Sequence, residues 1–212
     1  MKKFKDLEVF GPDDKLIALI DVISKNLPAG WRRDLDAEKR LAGFGEDATG
    51  FAFALDQDGL PPSGVFVLKE SGKLSIPNIV PRQSGELSFD QYNNILDQFS
   101  DILRPFISVD SAFSLNVTSG RAVITDWVSP EAAELLRKFS ALANMSTGSS
   151  HPLDFKRWAA FIAQAHREGS SLDADSLARW LVEELEWPAD RAAKLGSEYQ
   201  FARDILNEYD QT

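Results

Sequence analysis

Residues 73–106, KLSIPNIVPRQSGELSFDQYNNILDQFSDILRPF, decide the fold class of this chain. Leu74, Ile76, Ile79 and Val80 make an apolar strand, and the polar passage RQSGELS leads from it into a long helix. Ser88 and Gln91 stand at the spacing of a capping box, with Leu87 and Tyr92 at the two hydrophobic-staple positions. Tyr92, Ile95, Leu96, Phe99, Leu103 and Phe106 recur at helical spacing, so one face of this helix must pack on a sheet. Pro77 takes a backbone donor out of the strand, which predicts a bulge or an edge position there.

Upstream, Asp13 and Asp14 follow Pro12 and open a helix over 13–27, their charge suiting the positive end of its dipole. Leu27-Pro28-Ala29-Gly30 stops it. Residues 31–50 read either as a short helix or as an extended edge, with GFGEDATG at 43–50 as loop. The period then changes to two: FAFAL at 51–55, VFVL at 65–68 and the strand already described form three antiparallel neighbours joined by turns. After the central helix, 112–118 and 122–127 form a second alternating pair that turns at Ser119-Gly120. Ser129-Pro130-Glu131 opens the next helix with N-cap, Pro and early acid in order.

The expected fold is therefore α+β: a largely antiparallel sheet of about five strands packed by helices, in the order α-βββ-α-ββ-α. It occupies residues 1–143, and the loop at 144–151 links it to a helical subdomain at 152–212. That subdomain has three helices, opened by Pro152, by Ser171 and by Pro188. In the last, Ala192, Leu195, Tyr199, Ala202, Leu206 and Tyr209 follow alternating steps of three and four, a helix-packing seam.

The chain has 212 residues, 43% of them hydrophobic, with 14 Phe and 5 Trp, ample material for a core. It has no Cys, which removes disulfides, thiolate zinc sites and a Cys nucleophile together. No apolar run approaches the ~18 residues of a membrane span, and the start MKKFKDLEVFGPDD lacks the apolar region of a secretory signal. The expectation is a cytoplasmic protein of bacterial type. A net charge of -10 opposes nucleic acid or an anionic membrane as partner, since both require a positive field.

Three places could carry chemistry. In STGSSHPLD, His151 could act as a general base with Ser149 or Ser150 as nucleophile and Asp154 in the same site; the plainer reading is a helix start capped by its own loop. In the loop after the 73–81 strand, Arg82, Ser84 and Gly85 could hold an anion at the helix N-terminus, with Arg157 as a further cation, although Glu86 opposes it and no phosphate-loop spacing is present. His166 sits on the margin of an apolar helix face. Two His without Cys give no seed for a transition-metal site, and no cofactor is expected.

The last helices suggest a helix-turn-helix, but residues 153–212 hold 7 Lys and Arg against 12 Asp and Glu, the wrong sign for a duplex reader. Trp180, Trp187, Tyr199 and Tyr209 are residue types that anchor protein partners. The functional expectation is a non-catalytic interaction module, of antitoxin or immunity type, that neutralises a basic protein. The competing expectation is a small-molecule enzyme of acyltransferase or hydrolase type, with a site made by the 82–86 and 144–154 loops.

Overall fold

The computed structural model describes residues 1–41 and 49–212. Its contacts divide the chain into a unit spanning Lys2–Arg121 and a second comprising Met1 with Ala122–Thr212.

The first unit is a six-stranded sheet in the order β2-β3-β4-β5-β1-β6, every neighbouring pair antiparallel. The strands are β1 (Leu7–Phe10), β2 (Trp31–Arg33), β3 (Thr49–Leu55), β4 (Ser63–Glu70), β5 (Lys73–Pro81) and β6 (Ser114–Val117). Helices α1 (Asp13–Lys25) and α3 (Phe89–Ile107) lie in the same apolar cluster as Val9, Phe53, Val65 and Leu74, so both pack on one sheet face. The capping box of α3 is present: Ser88 Oγ accepts from the Gln91 amide, and Gln91 Oε1 accepts from the Ser88 amide. The expected irregularity at Pro77 is a bulge, where pairing jumps from Phe66↔Asn78 to Leu68↔Ser75.

Residues 31–41 fulfil both readings in succession. Trp31–Arg33 form the edge strand β2, and Leu35–Leu41 form the short helix α2. Asp34 joins them, its carboxylate accepting from the Ala37 amide at 3.0 Å. Most of the loop expected at 43–50 lies outside the described residues. The second alternating pair is corrected: 114–117 is a strand, whereas 122–127 holds a single tight turn, Ile124–Asp126. Ala122 and Ile124 point their apolar side chains into the helical core, and β6 pairs with β1 in their place.

The second unit contains α4 (Pro130–Leu142), α5 (Pro152–Arg167), α6 (Ala174–Leu185) and α7 (Ala189–Asp210). The units divide after Arg121, upstream of the boundary expected at 144–151, because α4 shares its core with the later helices: Phe139 meets Trp158 at 4.9 Å and stacks on Trp187 at 5.6 Å between ring centroids. Helices α6 and α7 approach closely at Gly196, where a Cβ would fall 2.7 Å from the Ala174 carbonyl oxygen. Only glycine fits there.

Candidate functional site

Helices α5 and α7 run side by side in the same direction. At one end the Ser149 hydroxyl donates to Glu198, and at the other His166 Nε2 lies 2.8 Å from Asp210 Oδ2. Phe161 stacks on Tyr199 beneath them and fixes their separation. Each helix buries one stripe, Trp158, Phe161 and Ala165 on α5 and Ala192, Leu195 and Tyr199 on α7.

A second apolar stripe on each helix stays outside. Phe155 is 60% exposed, Phe201 69% and Ile205 52%. With Ala159, Ile162, Ala163, Ala202 and Leu206 they line a groove of about 890 Å³. Its polar groups gather at one end, where Glu198 meets Ser149, and Ser150 also lines the wall. The indole N–H of Trp158, which also lines the groove, is buried and has no hydrogen-bond partner. Patches of this kind mark places where another apolar surface docks.

The residues expected to act as a catalytic set are not linked to one another. Ser149 is buried and its hydroxyl is committed to Glu198. His151 is exposed and serves as the N-cap of α5, its Nδ1 accepting from the Leu153 amide at 3.3 Å. Asp154 is buried and paired with Arg157 at 2.7 Å, so Arg157 is occupied as well. Ser84 and Gly85 are exposed, and the α3 N-terminus beyond them is closed by its own capping box. Arg82 reaches toward Asp34, 3.5 Å away, and borders a hollow next to β2 and α2. The 82–86 loop belongs to the sheet unit and the 144–154 loop to the helical unit.

The aromatic anchors are largely corrected. Trp180, Trp187 and Tyr199 are core residues, and Trp187 Nε1 donates to Ser140 Oγ at 2.7 Å inside that core. Only Tyr209, 75% exposed, is available on the surface. The signal for the groove was nevertheless in the sequence. Phe201 and Ile205 stand four apart and one position before Ala202 and Leu206 of the packing seam, which makes a second stripe on the same helix.

Among the described residues, no group of three or more His, Cys, Asp or Glu side chains could hold a metal ion. Among them, too, no helix is long and apolar enough to cross a membrane.

An α+β protein with an open groove on its helical unit is what the geometry defines. Residues 128–204 of that unit match the model of a family described as a domain of unknown function (DUF1889), a similarity that takes in α4, α5, α6 and α7 as far as Asp204. No curated protein and no solved structure matches the chain.

Proposed function

We propose that this chain is a cytoplasmic protein-interaction module whose α5/α7 groove receives an amphipathic helix from a basic protein partner. The observation that carries this reading is the outer apolar stripe formed by Phe155, Phe201 and Ile205, flanked on both sides by small or aliphatic residues. From Glu198 to Leu206 the α7 wall of the groove rises about 12 Å, room for about two turns of a docked helix. Apolar anchors at helical spacing are what such grooves recognise.

Charge gives the partner its sign. On α7, Asp204, Glu208 and Asp210 are exposed beside or beyond the apolar stripe, and the whole chain carries -10. A ligand helix with Lys or Arg flanking its apolar face would be drawn in quickly and held in register. Neutralisation of a basic toxin, as an antitoxin or immunity protein performs it, uses this combination of fast electrostatic capture and apolar docking.

The test uses two synthetic helical peptides with the same Leu stripe, one flanked by Lys and one by Glu, titrated against the full chain by fluorescence polarisation. The Lys-flanked peptide is expected to bind, to weaken with added salt, and to lose at least about tenfold in affinity against Phe201→Glu and Ile205→Glu. Equal binding of the Glu-flanked peptide, or binding untouched by Phe201→Glu, would overturn the reading.

A further inference from the structure

The sheet face opposite α1 and α3 carries a different arrangement. Cross-strand pairing sets Arg32, Ala54, Gly64 and Val80 in one row, and Ala52 and Phe66 in the next. Opposed residues of an antiparallel pair share a face, so these rows form an apolar floor with Arg32 at its β2 end. A hollow of about 300 Å³ opens on this floor and a second of about 430 Å³ lies at its β2 end, and they share Asp34 and Arg82 in their walls. The larger is bordered by Arg32, Arg33, Lys39 and Arg82 together with the acid Asp36; the smaller adds Arg40 beside Phe66 and Val80.

The state of these cations makes the place unusual. Arg33 is spoken for: Glu38 grips it through two contacts of 2.8 and 3.2 Å, Asp21 adds a third, and the carboxylate of Glu38 holds its guanidinium above the ordinary value. Lys39 pairs with Asp36 at 3.1 Å, and Arg82 meets Asp34 only at 3.5 Å. Arg32 and Arg40 make no hydrogen bond or ion pair with any described residue. In a chain with 33 acids against 23 Lys and Arg, two guanidinium groups with no partner among the described residues, beside one loosely held, outweigh the Asp34 and Asp36 carboxylates in the same walls. Guanidinium forks match the oxygens of carboxylate and phosphate.

We propose that this face binds a small organic anion, a phosphate monoester or carboxylate attached to a compact apolar body. The anionic end lies against Arg82, which lines both hollows, with Arg32 bordering one and Arg40 the other, and the apolar body rests on Phe66, Val80 and Gly64. At Gly64 an added Cβ would find only ordinary contacts, 3.8 Å from Phe66 and Val80, so the floor there is open. The site is independent of the α5/α7 groove and stands whether or not that groove takes a helix.

Phenyl phosphate is the probe, titrated into the full chain with amide chemical shifts recorded, and inorganic phosphate and phenol run alongside. The expected result is saturable shifts at Ala52, Gly64 and Phe66, with phenyl phosphate binding more tightly than either half alone. Arg32→Ala and Arg82→Ala are each expected to weaken it about tenfold, while Arg104→Ala, on the exposed side of α3, leaves it unchanged. All three side chains are at the surface, so folding is retained and checked by the same spectra. Shifts confined to other residues, equal binding of inorganic phosphate, or affinity indifferent to Arg32→Ala and Arg82→Ala would overturn the proposal.

Discussion

The longest helix of each unit spends its apolar residues differently. Helix α3 gathers Tyr92, Ile95, Leu96, Phe99 and Leu103 into one buried stripe and leaves its other side to Asp90, Asp97, Asp101 and Arg104. Helix α7 buries Ala192, Leu195 and Tyr199, then places Phe201 and Ile205 where its own unit does not cover them. A helix with a single stripe is explained by its core. A helix with a second stripe holds apolar surface in excess of what its core uses, and that excess is what the proposed docking of a partner would cover.

The largest effect that can break this comparison is in the cores themselves. Phe99→Ala and Phe161→Ala remove fully buried rings from the two units, and each is expected to cost ~3–5 kcal/mol in denaturant unfolding. Phe201→Ala, on the outer stripe of α7, should change stability by no more than ~0.5 kcal/mol. If Phe201→Ala cost as much as Phe161→Ala, the outer stripe would be structural and the contrast with α3 would disappear.

The same substitution should have opposite signs in the two units. Ser140 Oγ accepts the hydrogen bond of the Trp187 indole, so Ser140→Ala strands a buried N–H and should cost ~1–2 kcal/mol. Ser100 Oγ, buried on α3, has no hydrogen-bond partner among the described residues. Ser100→Ala removes an unsatisfied hydroxyl and adds a better helix former, with an expected gain of up to ~1 kcal/mol. Thermal unfolding of the two variants beside the parent reads both signs.

A smaller effect concerns the start of α6. Asp173 is its N-cap, and the Ser176 backbone N–H at 2.7 Å, helped by the Ser176 hydroxyl, holds its carboxyl below the ordinary value. The folded pKa is depressed, so the stabilisation is complete above the unfolded carboxylate range, near ~3.9. It is lost as pH falls through the lower folded value. Asp173→Ala should cost ~1 kcal/mol at neutral pH, and the gap between it and the parent should close in acid. Denaturant titrations across the acid range test this; a gap that stayed constant would mean that the carboxylate charge contributes nothing to the cap.

Local signals were legible wherever one residue's chemistry sufficed. The capping box of Ser88 and Gln91, the Pro-opened starts of α4 and α5, the period-two runs of β3 and β4, and the bulge at Pro77 all follow from short-range rules and all stand in the structure. Where two partners competed for a segment, the sequence was silent. Ala122 and Ile124 alternate like a strand, yet the helical core takes them. Leu7 and Val9 make too short a run to stand out, yet they seat β1 between β5 and β6.

For the candidate site the same division holds, with a sharper consequence. Trp180, Trp187 and Tyr199 read as partner anchors because aromatic residues serve cores and interfaces alike, and only packing separates the two uses. Arg82 was legible as an available cation, but Arg32 comes to it through strand pairing across β2, β3, β4 and β5 and Arg40 through the following helix α2, some 40 to 50 residues away in the chain. The sequence by itself determined the α+β class, the helix starts, the acidity and the absence of cysteine chemistry, because composition and nearest-neighbour backbone preferences act locally. Tertiary structure alone decided which apolar stripes are covered and which cations are brought near Arg82, because burial and charge pairing depend on residues that the chain brings together only when it folds.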